Sequence, residues 1–145
     1  MNKIKTLDEL VAIIQQLKTK GKKIIQCHGV FDLLHPGHIR HFEAAKKQGD
    51  ALIVTLTKDK YVNKGPGRPF FNQRLRAESI AALQCVDYVA INEWPTATNA
   101  IKKLKPDVYV KGSDYNNPAK DLTGEIRNEK SAVRLTGGRI YFTDD

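Results

Sequence analysis

Apolar positions along this chain switch repeatedly between two periods, and the switching predicts its architecture. Leu7, Leu10, Val11, Ile14 and Leu17 keep the three-and-four spacing of a helix face. Thr6-Leu7-Asp8-Glu9 has the form of a capping box at its start, and Gly21 closes it. Ile24-Ile25-Gln26-Cys27 follows as a short, nearly continuous apolar run, the mark of a buried strand. Helical spacing returns over 39–47, and after Gly49-Asp50 a second strand runs over 51–57. A polar stretch over 58–70, rich in Lys, Gly and Pro, reads as a loop, and Asn72 is a suitable N-cap for a helix through Leu83. The remaining pattern predicts a strand over 85–91, a short helix over about 96–104, a strand over 107–111, a helix over 125–135 and a strand over 139–143.

Strands that alternate with helices and are apolar on both faces belong to a parallel sheet covered on both sides. The expected fold is therefore α/β: a Rossmann-like, five-stranded parallel sheet in one domain spanning 1–145. Ligands of such folds bind beyond the carboxyl ends of the strands, near the point where strand order reverses. Three unusual segments, 29–38, 58–70 and 112–115, each follow a strand at that edge, so one site is expected there.

Composition removes other classes. With 145 residues, 41% hydrophobic and 28% charged, the chain can bury a core of its own and is not disordered. Its apolar runs are too short to cross a bilayer, and Met1-Asn2-Lys3 leads into an amphipathic segment unlike a signal peptide, so a cytoplasmic location is expected. Cys27 and Cys85 fall in apolar stretches and read as buried thiols, not as a disulfide. The net charge of +8 raises the question of nucleic acid. The cations are dispersed, however, and no aromatic residues interleave with them as a stacking platform, so no nucleic-acid partner is expected.

The chemistry concentrates in Gly29-Val30-Phe31-Asp32-Leu33-Leu34-His35-Pro36-Gly37-His38. Here a strand gives way to a helix, whose unpaired N–H groups and positive dipole end attract anions. Pro36 is tolerated in a first turn, and Gly29 and Gly37 permit close approach of backbone to a ligand. His35 and His38, three apart, can face one polyphosphate. Asp32 could orient the loop, orient a substrate group or cap the turn. Lys64-Gly65-Pro66-Gly67-Arg68-Pro69 offers two cations suited to substrate phosphate. Arg74 and Arg76 open the next helix, where cations oppose the dipole unless an anion binds nearby, and a surface role stays open for Arg76. His28 reads as a structural strand-end residue and His41 as a surface residue. Cys27, His28, His35, His38 and His41 are crowded, yet their spacings match no common closed zinc site.

Gly29-x-Phe31-Asp32-x-x-His35-x-Gly37-His38 resembles the signature of the cytidylyltransferase-like nucleotidyltransferases, which share HxGH with class I aminoacyl-tRNA synthetases and with pantetheine-phosphate and NMN adenylyltransferases. A tRNA-acting enzyme is disfavoured by the short chain. Within the family, the Lys64–Pro69 loop, Val86-Asp87 and Pro106-Asp107-Val108-Tyr109-Val110-Lys111-Gly112-Ser113-Asp114-Tyr115 are most similar to adenylyltransferase domains of ADP-heptose synthesis. Glycerol-3-phosphate cytidylyltransferases match less well.

The resemblance implies attack of a substrate phosphate on a nucleoside triphosphate, with ATP favoured over CTP and a sugar phosphate such as heptose 1-phosphate as acceptor. It implies catalytic roles for His35, His38 and Lys64. Gly29, Val30, Phe31, Asp32, His35, Gly37, His38, Lys111, Gly112 and Asp114 would bind nucleotide, and Lys64, Arg68 and Arg74 the substrate phosphate. Mg²⁺ would be held by phosphates and water and not by a protein cage. A homodimer and a fused sugar kinase are further expectations of the resemblance. The family's second signature, a Ser/Thr-rich loop opening a helix after the last strand, would begin where this chain reaches Asp144-Asp145. The chain is accordingly expected to be part of a longer polypeptide. A nucleotide-binding module without turnover is the alternative.

Overall fold

The structure, a computed structural model, describes residues 2–63, 65–112 and 125–144. The elements run α1 (Leu7–Thr19), β1 (Ile24–Gly29), α2 (Pro36–Lys46), β2 (Ala51–Leu56), α3 (Gln73–Ala81), β3 (Tyr88–Ile91), α4 (Thr98–Leu104), β4 (Val108–Gly112), α5 (Glu125–Leu135) and β5 (Arg139–Thr143), with a 3₁₀ turn at Asp59–Tyr61. Five strands form one sheet in the order β3-β2-β1-β4-β5, and every pairing is parallel. From β1 the chain builds outward through β2 and β3, then returns to the other side of β1 for β4 and β5. The order reverses between β1 and β4, so the crevice of such a sheet opens beyond Gly29 and Gly112.

Strand alternation divides the core into two layers. Ile25 and Cys27, with Leu52, Val54, Leu56, Val89, Val108 and Val110, pack against Phe42 and Ala45 of α2 and Ala77 and Ile80 of α3. The opposite face carries Ile24, Ala51, Ile53 and Ala90 under Leu7, Leu10 and Ile14 of α1. Tyr109 meets Ile101 of α4 and Ala132 and Val133 of α5 on that same face. Each large aliphatic or aromatic side chain so buried contributes about 1.5–3 kcal/mol.

The α1 capping box forms in full, with Thr6 Oγ1 accepting from Glu9 N–H and Glu9 accepting from Thr6 N–H. Just before it, Lys5 N–H donates to Val89 O and Val89 N–H to Lys3 O, which covers the outer edge of β3. Among the described residues no helix is long and apolar enough to cross a membrane.

Several predicted boundaries move by one to three residues, and three of the shifts have identifiable reasons. β1 continues past Cys27 to Gly29, because the polar side chains of Gln26 and His28 find partners on β2. α2 starts at Pro36 instead of residue 39, because His35 serves as its N-cap. The third strand starts at Tyr88 instead of Cys85. Cys85 lies ahead of it, half-buried, and Val86 N–H closes a turn onto Leu83 O. Asp87 then accepts from Leu52 N–H and Lys46 Nζ, tying that turn to the start of β2.

Candidate active site at the carboxyl edge of the sheet

Between Gly29 and His38 the chain leaves β1, turns sharply and enters α2. Phe31 makes the turn with φ of 50°, a left-handed conformation that costs a residue with a Cβ and needs compensating contacts. Its ring supplies them. It packs edge-on against Phe42 at 4.9 Å between centroids and against His38 at 5.7 Å. The ring also folds back over Gly29, where a Cβ would lie 2.7 Å from Phe31 Cζ.

His35 and His38 cap the helix reciprocally. His35 Nδ1 accepts from Gly37 N–H at 3.0 Å, and His38 Nδ1 accepts from His35 N–H at 3.3 Å. The rings lie 4.0 Å apart, centroid to centroid. A ring nitrogen that accepts a hydrogen bond carries no proton, so the neutral form of each ring holds its proton on Nε2. The pair thus offers two N–H donors side by side at a helix start. Gly37 is required for this, since a Cβ there would sit 2.7 Å from His35 Cε1.

Asp32, with a side chain 1% exposed, holds the loop that follows β2. Its Oδ2 accepts from Phe70 N–H at 2.7 Å and Arg68 Nε at 2.9 Å, and Oδ1 from Phe71 N–H at 2.9 Å. Burial alone would raise its pKa, but the bonds from Phe71, Phe70 and Arg68 outweigh it and keep the carboxyl below its ordinary value. Of the three roles open to Asp32, this geometry supplies the first, orientation of the loop.

Arg76, whose role the sequence left open, is decided by its burial. It is not a surface residue but fully buried, one face of α3 placing Arg76, Ala77 and Ile80 inward. Its guanidinium donates to Val30 O at 2.8 Å, Phe71 O at 3.0 Å and Asp59 Oδ1 at 2.6 Å. Asp32 therefore grips the amides of the 65–71 loop and Arg76 its carbonyl, while Arg76 also holds the Gly29–His38 turn. The two loops form one unit. In the sequence its only hint is helical spacing beside the apolar Ala77 and Ile80, which does not settle burial of a charge.

The remaining candidates divide. Arg68 lies in the site, held by Asp32 and stacked over Phe70 at 4.5 Å. Arg74 is exposed and pairs with Glu78 along its own helix at 3.1 Å. Lys111 is largely buried, 3.4 Å from Glu129 Oε2, and Tyr109 donates its hydroxyl to the same oxygen. Gly112 closes β4 at the crevice. Lys64 and Asp114, with Ser113 and Tyr115, lie outside the described residues.

Glu129 was not singled out from sequence, although an acid among Ile126, Ala132 and Val133 on the inner face of α5 is a visible anomaly. His28 does sit at the end of β1. It bonds Thr55 Oγ1 at 2.8 Å, and burial, reinforced by Lys111, pushes its pKa down to about 3, so it is neutral. His41 departs from expectation: it is half-buried, and its Nδ1 lies 2.9 Å from Thr143 Oγ1, joining α2 to the end of β5. Burial raises the pKa of both free thiols. No group of three or more His, Cys, Asp or Glu is placed to hold a metal ion among the described residues.

A parallel sheet of this order, with paired imidazoles at the helix start beside its switch point, is a doubly wound α/β fold with a candidate anion site at that point. The chain belongs to the cytidylyltransferase-like family, whose model matches residues 26–143. Among its relatives is the bifunctional protein HldE of Geobacter metallireducens, 44% identical over 140 residues, a match covering 95% of this chain and 27% of that protein. HldE of Aliarcobacter butzleri is 42% identical, over 94% of this chain and 29% of its own length. The chain thus spans little more than a quarter of these curated relatives. Of solved structures, a lipopolysaccharide core biosynthesis protein from Thermoplasma volcanium superposes with a TM-score of 0.67 at 25% identity, over 84% of this chain and 94% of that one. Pantoate-beta-alanine ligase from Francisella tularensis, 17% identical over 97% of this chain and 66% of its own, shares the fold with a TM-score of 0.67.

Proposed function

We propose that this chain transfers the nucleotidyl group of ATP to a sugar 1-phosphate such as heptose 1-phosphate. An acceptor phosphate oxygen attacks the α-phosphorus, a new P–O bond forms, and the bond to the bridging oxygen of pyrophosphate breaks. The observation that carries the reading is the reciprocal His35/His38 cap, which sets two imidazoles side by side at the helix start, beside the position where charge would build on the α-phosphate.

The backbone at Val30 and Phe31 adds donors beside them. Arg68 binds phosphate with its orientation preset by Asp32, which reduces what must be ordered on binding. Arg74, exposed and paired with its neighbour Glu78, exchanges that partner for phosphate at little cost. By the resemblance, Lys64 would share this role, and Lys111, Gly112 and Asp114 would serve the nucleoside. Asp32 is engaged by its loop, and Mg²⁺ would arrive as the nucleotide complex, coordinated by phosphates and water. The HldE relatives, bifunctional by name and several times longer, support a sugar kinase fused to this unit in the whole protein. We place that protein in the cytoplasm as a homodimer.

Pyrophosphate release measured over ATP and CTP against heptose 1-phosphate and glycerol 3-phosphate tests the reading. Turnover is expected with ATP and heptose 1-phosphate, and His35→Ala or His38→Ala should lower kcat about a hundredfold. Turnover with CTP and glycerol 3-phosphate instead would make the chain a cytidylyltransferase. Nucleotide binding without pyrophosphate release in any combination would make it a binding module.

A further inference from the structure

Large apolar side chains exposed to solvent are not scattered over this molecule. Leu33, Phe70, Phe71 and Leu75 are 47%, 60%, 46% and 46% exposed, and among the described residues only Leu135 joins them. All four stand on or beside the two loops that Asp32 clips together. Leu33 follows Asp32 in sequence, the Phe70 and Phe71 amides are bonded to its carboxylate, and Leu75 lies one helical turn beyond Phe71. Two aromatic rings are thus held on backbone fixed from a buried anchor, three residues from His35. Such clustering in an otherwise well-covered protein marks a binding surface.

Charge at the patch narrows the occupant. The Arg68 guanidinium lies 4.5 Å from the centre of the Phe70 ring, so a cation and an apolar face are presented together. We infer that Leu33, Phe70 and Phe71 form an aromatic lip that selects a ring-form sugar phosphate over an open-chain one. A sugar phosphorylated at its anomeric carbon is locked as a ring. It can therefore lay its C–H face on Phe70 and Phe71 while its phosphate meets Arg68. Glycerol 3-phosphate carries the same charge but no such face, and gains only the contact to Arg68. This deepens the reading above by naming the feature that discriminates between acceptors, and it rests on that reading for the position of the phosphate.

Calorimetric titration of the protein with heptose 1-phosphate and with glycerol 3-phosphate tests the inference directly. Heptose 1-phosphate should bind about tenfold more tightly, and Phe70→Ala should remove most of that advantage while weakening glycerol 3-phosphate far less. Phe70→Tyr, which keeps the ring, should restore it. Equal weakening of both ligands, no change in either, or no binding of heptose 1-phosphate by the unaltered protein would overturn the inference. So would a Phe70→Ala variant altered only in sedimentation, since the lip would then serve a second copy of the chain. Pyrophosphate release is read separately: the expected binding pattern without release leaves the lip standing and removes nucleotidyl transfer.

Discussion

A single carboxylate shows how much of this site depends on one buried charge. Asp32 is almost wholly shielded from solvent and accepts three hydrogen bonds from the loop that carries Arg68. Its lowered pKa sets the sign of a pH effect. Because the folded form binds its proton less readily than the unfolded chain, Asp32 contributes its full stabilisation above its ordinary value of 3.8. That contribution is lost as pH falls through the lower folded value. Asp32→Asn should therefore cost about 1.5–3 kcal/mol at neutral pH, as expected for bonds to a charged acceptor. The difference from the unaltered protein should shrink below the ordinary carboxyl pKa, and urea unfolding at a series of pH values measures it. Sequence marked Asp32 as part of a motif but left its role open, because its partners stand 36 to 39 positions away.

At the scale of the element, α2 is built as a donor platform first and a helix second. Its N-cap is an imidazole, its N1 residue a proline and its next residue a glycine that keeps the His35 ring in place. Gly37→Ala separates these functions. Alanine favours a helix by about 0.5–1 kcal/mol over glycine, which offsets the loss of the His35 cap, so the thermal midpoint should change little. The new Cβ collides with His35, so activity should fall toward that of His35→Ala. Parallel calorimetry and pyrophosphate assays check the pair, and a loss of stability in step with activity would count against it. All of this element but its first turn was legible from periodicity. The start was misplaced because a histidine cap is not among the usual signals and Pro36 offered only permission to begin.

Across the whole molecule, Arg76 joins segments that no local pattern connects: the turn after β1, the 3₁₀ turn after β2 and the loop before α3. Arg76→Met keeps the volume but orphans two carbonyls and the Asp59 carboxylate, and should destabilise by about 3 kcal/mol. Both loops should loosen together, seen as faster amide exchange at Phe31 and at Phe70. Loosening of one loop alone would show that they are not coupled. The sequence by itself determined the alternation of strands and helices, the parallel sheet, the edge that gathers the candidate site and the family, because each is written within a window of a few residues or in a contiguous motif. Only the tertiary structure decided the strand order β3-β2-β1-β4-β5, the burial of Arg76 and Glu129, and the link from His41 to Thr143. Those depend on which distant segments meet, and the meeting is decided by packing of whole faces and by the need of each buried polar group for a partner.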